Sequence, residues 1–277
     1  ERIRCVSGIR SILVHVDHSA HVSNRIAAAI GVGERLGATV NVQYCVMRGV
    51  QLYPMAGMPV HVQQSIAESD GQRRRATRNI VANSNSAACK LRWSEDAVSG
   101  PAEFAARARY ADLCILGQEN PDDDQSADIW SGFVTDVIVD SGQPSLVLPW
   151  IPLPDVIGRR IVIAWKNTRE SARAVTAALP FLSLAEEVHL VGSGKHAHLE
   201  LAALQDRLER HDIRTSLCDL AEDEREVGDA LLSVAGDRGA DLLVIGCYGH
   251  SRAREWMSGG TTKSILRAMT VPVLMSH

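Results

Sequence analysis

The chain alternates short, almost wholly apolar runs with longer stretches in which apolar residues recur every three or four positions. The short runs read as strands buried on both faces, and the longer ones as amphipathic helices. Ser11 to Val16 is a first strand ending at Asp17. In NRIAAAIGVGERLG, Ile26, Ile30 and Gly33 share a helical face, with Leu36 nearby and Gly37 as the stop. Ala38 to Val46 is a second strand. This strand–helix–strand order calls for a parallel sheet with a right-handed crossover. From Met47 to Ala67 the pattern lapses, because Pro54, Gly57 and Pro59 argue against one helix. There Met47, Tyr53, Met55 and Met58 line a pocket or cover a hydrophobic edge. A helix is predicted from about Gln63 to Ala88, then a strand in CKLRWSE and a short helix over Pro101 to Ala111. Pro101 and Glu103 suit that helix's first turn. The runs ADLCILG and QPSLVLP supply two more strands, with a helix in FVTDVIVDSG between them.

The pattern then repeats. Trp150 to Gly158 is a linker whose two prolines favour an extended path. Arg160 to Trp165 compares with Ser11 to Val16, and TVPVLMS with QPSLVLP. Between them lie strands EEVHLVGS, TSLCDL and DLLVIG, and helices in ESARAVTAALPFL, HLELAALQDRLERHDI and EVGDALLSVAGDRGA. Asn167 and Glu170 have capping-box spacing. Val175, Ala178, Leu179 and Leu182 form an inner stripe, and Pro180 marks a bend or an end. Leu201, Leu204 and Leu208 stand in register on the next helix, and Gly239 ends the one after it. The predicted architecture is two tandem Rossmann-like α/β sandwich domains, residues 1–150 and 151–277, each with a five-stranded, mainly parallel sheet and helices on both faces.

Composition narrows the function. The 277 residues are 45% hydrophobic with a formal charge of −4, which gives no case for nucleic acid as partner. The run Arg73-Arg74-Arg75 reads as the wet face of a helix. No apolar run approaches the ~18 residues of a membrane span. No signal-peptide pattern opens the given sequence, which starts at Glu1. Cys5, Cys45, Cys89, Cys114, Cys218 and Cys247 form neither CxxC pairs nor metal spacings, which suits a reduced, cytoplasmic setting. Among the ten histidines, His18 and His21 stand one helical turn apart near Asp17 without a cysteine partner, which is thin support for zinc. His250 and Ser251 are adjacent, so they do not face each other as a nucleophile and base would. Asp122, Asp123 and Asp124 read as a solvated loop that would repel phosphate.

The chemistry concentrates after the strand DLLVIG. Gly246 and Gly249 lie where that strand stops, and Gly259 and Gly260 precede Thr261, Thr262 and a helical run. Glycines between a strand and a helix N-terminus either aim backbone amides at an anion or only make tight turns.

This arrangement resembles the universal stress protein family, whose nucleotide-binding members carry G-x2-G-x9-G followed by Ser or Thr. Gly246, Gly249 and Gly259 satisfy that spacing, while Gly260 replaces the hydroxyl residue and Thr261 and Thr262 follow. The segment Tyr248 to Glu255 resembles tandem bacterial members. The resemblance implies a stress-response protein of the cytoplasm, with ATP or AMP in the second half alone. Phosphates would meet amides at Gly249, Gly259, Gly260 and Thr261, helped by Thr262. Ala164, Trp165, Lys166 and Val191 would flank ribose and base, beside Gly246. Asp17 holds the position where nucleotide-binding members often have Asp near ribose and metal, and Lys166 replaces it in the second half, which leaves magnesium open. Trp165 and Trp256 either cover a base or pack in a core. The family also implies an intrachain pseudo-dimer through SLVLP and PVLMS, with protein partners and a homodimer left open. The alternatives are a slow ATP-hydrolysing enzyme or nucleotide-dependent switch, and a DNA-binding regulator, against which charge and the lack of a helix-turn-helix pattern count.

Overall fold

A computed structural model describes residues 8–46, 59–84, 86–94, 96, 98–119, 132–194, 196–220, 227–247 and 260–277. The first half runs β1 (Ser11–Val16), α1 (Val22–Leu36), β2 (Thr39–Tyr44), α2 (Val60–Asn83), β3 (Leu91–Trp93), α3 (Pro101–Ala108), β4 (Leu113–Gly117), α4 (Phe133–Ser141) and β5 (Ser145–Leu148). The second runs β6 (Arg160–Trp165), α5 (Arg169–Leu182), β7 (Glu187–Gly192), α6 (Ala197–Glu209), β8 (Ser216–Asp219), α7 (Val227–Asp237), β9 (Leu242–Gly246), α8 (Thr261–Ala268) and β10 (Val273–Ser276).

The strands form one ten-stranded sheet in the order β3-β2-β1-β4-β5-β10-β9-β6-β7-β8. Every pair within a half is parallel, and the two halves meet where β5 and β10 run antiparallel. Leu146 pairs with Leu274 there, and these residues occupy equivalent positions in the two halves, so the seam lies on a pseudo-twofold axis. Side-by-side pairing of the two final strands is thus observed. It satisfies two edges that would otherwise expose unpaired backbone groups.

One apolar core runs along one face of the sheet beneath α1, α2, α5 and α6, crossing from half to half. A second lies beneath α3, α4, α7 and α8 on the other face. Burial on both sides explains why the strands are apolar at successive positions. Pseudo-equivalent aspartates fasten the first strand of each half. Asp112 Oδ2 accepts from Arg10 N and Ser11 N at 2.9 Å, and Asp241 accepts from the backbone N–H groups of Gly158, Arg159 and Arg160. From α1, Arg35 donates to Gly158 O and Leu184 O of the second half, each at 2.8 Å.

Several boundaries differ from expectation. Helix α2 starts directly after Pro59, which fits a first turn, and stops at Asn83 instead of Ala88. The second strand is shorter, Thr39–Tyr44, and the helix from Pro101 ends at Ala108. Helix α5 is capped by Thr168, whose Oγ1 accepts from Ser171 N, and not by Asn167. Pro180 does not end α5, which runs on to Leu182; it lies in the last turn and removes only one late hydrogen bond. Helix α1 does close at Gly37, whose φ of 67° lets Ala38 N reach Gly33 O at 2.8 Å.

Candidate functional site

In each half the strand order reverses direction beside its first strand, between β1 and β4 and between β6 and β9. The carboxyl ends of strands at such a switch point form the crevice where open α/β sheets hold ligands. The strand registers make the halves comparable residue by residue. Ile12 pairs with Leu113 as Ile161 pairs with Leu242, so His15 corresponds to Ala164, Asp17 to Lys166 and Gly117 to Gly246. By the same register Gln43 corresponds to Val191, and the helix starts align Gly132 with Gly260 and Phe133 with Thr261.

In the first half this crevice is filled from within. The His15 imidazole lies 4.5 Å, centroid to centroid, from the Phe133 ring and edge-on to Phe104 at 5.5 Å. Its Nε2 donates to Cys45 O at 2.8 Å, while Arg25 donates to Nδ1 at 3.2 Å. Burial, reinforced by the Arg25 charge, lowers the His15 pKa to about 4. Arg25 also donates to Asp17 Oδ2 at 3.0 Å, and Ser19 donates twice to Asp17 Oδ1. Burial works to raise the Asp17 pKa, but the Arg25 charge, His15 and the Ser19 bonds outweigh it and hold the carboxyl well below the usual range. Thr77 of α2 donates to Asp17 O. The Arg25 guanidinium rests directly on Gly117, where any Cβ would collide with it at 2.2 Å. Gln43, at the Val191 position, is buried and donates to Tyr44 O and Asp96 O.

The N-terminus of α4 carries an internal anion. Glu119 Oε1 accepts from Gly132 N at 2.8 Å. Its pKa is raised by burial, against which the N–H groups of Gly132, Phe133 and Val134 favour the charged form. A carboxylate at the positive end of a helix takes the place an external anion would use.

The second half puts smaller groups at the same positions. Ala164 and Val191 lie on the α7/α8 side of the sheet, the side on which α8 begins. Trp165 packs against the core on the opposite face, with Nε1 buried and without a hydrogen-bond partner, so its ring does not join Ala164 and Val191. Lys166 is exposed. Gly246 faces α5, where a Cβ would stand 2.3 Å from Ser171 N, so this glycine admits the first turn of α5 on the side away from α8. Helix α8 starts from Gly260 in extended conformation (φ −174°), and no side chain among the described residues caps it. Gly260 O accepts from Lys263 N and Ser264 N, which leaves the N–H groups of Thr261 and Thr262 ahead of the helical ladder. Thr261 is exposed and Thr262 half-buried.

Gly249, Gly259, Trp256, His250 and Ser251 lie outside the described residues, as do Asp122 to Asp124, Met47, Tyr53, Met55, Met58 and Arg252 to Glu255. Among the described residues no group of three or more His, Cys, Asp or Glu could hold a metal ion. No described helix is long and apolar enough to cross a membrane.

A sequence model of the universal stress protein family matches residues 183–277. Over 46 residues the chain is 41% identical to a universal stress protein of Synechocystis, a stretch covering 17% of this chain and 16% of that protein. The crystal structure of a universal stress protein from Archaeoglobus fulgidus matches the fold with a TM-score of 0.73 at 14% identity, over 96% of this chain and 95% of its own. A structure from Pseudomonas aeruginosa matches with a TM-score of 0.54 at 15% identity, over 98% and 94%. The repeated order of elements and the seam between β5 and β10 give the chain the fold of these structures, two tandem, pseudo-symmetric domains, and its match to the universal stress protein family model lies in residues 183–277.

Proposed function

We propose that the chain is a non-catalytic stress-response protein of the cytoplasm that holds an adenine nucleotide, ATP or AMP, in its second half alone. The observation that carries this reading is the contrast at equivalent positions. Where the first half has His15, Phe133 and the Glu119 carboxylate, the second has Ala164, Thr261 and a helix start without a side-chain cap among the described residues. Phosphate oxygens would accept from amides at the start of α8, with Gly249 and Gly259 contributing by family resemblance. Ala164 and Val191 would contact the base and ribose, and Lys166 would approach the phosphates as a point charge. A charged ammonium cannot coordinate magnesium, so any magnesium would arrive with the phosphates. The stress role rests on the family.

Calorimetry with ATP and AMP on wild type and on Ala164→His tests the placement. The substitution writes the first half's residue into the second half and should weaken binding at least about tenfold. Equal binding by both proteins, or none by wild type at millimolar ATP, sinks the reading.

A further inference from the structure

Gln118, the residue after β4, crosses the seam between the halves. Its Nε2 donates to Leu266 O at 2.9 Å and to Arg267 O at 3.1 Å, both in the last turn of α8. Its Oε1 accepts from Trp150 N at 3.3 Å, and its own N–H donates to Leu148 O at 2.8 Å. The side chain is 7% exposed, so the amide is fixed at both ends. Its two N–H groups meet carbonyls that a helix C-terminus otherwise leaves without intrahelical donors.

Among the described residues, the helix it holds buries few side chains of its own. Within α8 only Ile265 is buried, whereas α4, its counterpart, buries Phe133, Val134, Val137, Ile138 and Ser141. Ser264 Oγ adds a bond to Asp229 within the second half. The tie does not run both ways. The residue equivalent to Gln118 is Cys247, a buried thiol with one weak donor, which cannot form the reciprocal pair of bonds.

We propose that Gln118 is a positioning residue through which the self-filled first half holds helix α8 in place, and so sets the anion-binding end of that helix. The second clause rests on the nucleotide reading above. The first does not. A short helix pinned at one end keeps its other end oriented, and loss of the pin should raise local opening before global unfolding.

The test uses the whole chain. Gln118→Met removes both donors at similar volume, and Gln118→Glu places a carboxylate against two carbonyls at the negative end of the helix. Amide exchange is followed over residues 261–269, with 132–141 as internal reference, and ATP affinity is measured by calorimetry. Exchange in 261–269 should rise about tenfold in Gln118→Met, with the reference unchanged, and further in Gln118→Glu. ATP affinity should fall in the same order. Exchange within twofold of wild type in both variants overturns the proposal. Faster exchange with unaltered ATP affinity overturns its second clause and upholds the first. If wild type binds no ATP, the nucleotide reading falls and the exchange experiment still decides whether Gln118 holds α8.

Discussion

The two switch points share a backbone and differ in what occupies them. At the first, two aromatic rings and His15 fill the space, Arg25 neutralises Asp17, and Glu119 supplies the anion for a helix start. At the second, alanine, valine and threonine stand in the same register, and the helix start has no internal carboxylate among the described residues. A crevice becomes core when large side chains and paired charges satisfy every group within it. It stays a site when those groups are small or open. The tandem fold can therefore fill one switch point with side chains while the described residues of the other place small groups at the same positions.

The largest effect should come from breaking the charge pair that closes the first switch point. Arg25 and Asp17 are 7% and 1% exposed and 3.0 Å apart. Removing one partner of such a pair leaves an uncompensated buried charge, at a cost of about 3–5 kcal/mol. Arg25→Met should lower the stability measured by urea unfolding by that amount. A loss under about 1 kcal/mol, as for exposed pairs, would mean that water already reaches Asp17 and that the first crevice is open.

Acid should distinguish the halves next. The folded pKa of His15 is lowered from 6.5 to about 4. Below pH 6.5 the unfolded chain takes up a proton that the folded chain refuses until about pH 4, so stability falls as pH drops through that window. The loss approaches roughly 3 kcal/mol, since each tenfold difference in proton affinity between the folded and unfolded chain is worth about 1.4 kcal/mol. Asp17 has a depressed pKa, so its contribution is lost only in stronger acid. Urea midpoints from pH 7.5 to 4.5 measure the slope, and His15→Gln should flatten it. An unflattened slope would move the effect to other groups.

These fillers mark where sequence reasoning stopped. The strands were legible because burial on both faces leaves unbroken apolar runs, and Ser11–Val16 and Arg160–Trp165 fall where the pattern puts them. The pairing of the last strands was legible through family resemblance. Arg25 was not, because an arginine beside Ile26 on an amphipathic helix reads as a wet residue. The available signal was Asp17 at a strand end, a carboxylate needing a cation from the helix that follows. Glu119 acts thirteen residues away in sequence and Gln118 about 148 away, so no local spacing announces either. Gly246 satisfied the motif, yet its missing side chain faces α5, a contact that only the packing reveals.

A smaller change would test the internal anion directly. Glu119→Ala should cost about 1 kcal/mol, the usual value of a helix cap. Added phosphate should restore part of that loss if the freed N–H groups of Gly132 to Val134 donate to an outside anion. Restoration would give the first helix start the anion binding proposed for the second. Loss without restoration would show that the ring of Phe133 blocks the approach even when the carboxylate is gone.

The smallest effect is expected at the other helix start, where it bears most directly on the contrast. Gly260 is extended, so its backbone conformation is open to any residue, and a Cβ there meets nothing within 4 Å. Serine at this position can accept from the N–H of residue 262 or 263, as a helix cap does. Gly260→Ser should therefore stabilise the chain by a few tenths of a kcal/mol, the usual difference between serine and glycine at a cap. Its effect on nucleotide binding has a definite sign. The hydroxyl can also donate to a phosphate oxygen, and it restores the residue type of the family pattern, so ATP should bind more tightly. If the start of α8 serves only its own turn, the same substitution would raise the unfolding midpoint and leave ATP titrations unchanged. A change in stability without a change in binding would make the second switch point a second piece of scaffold, and the contrast between the halves would reduce to packing.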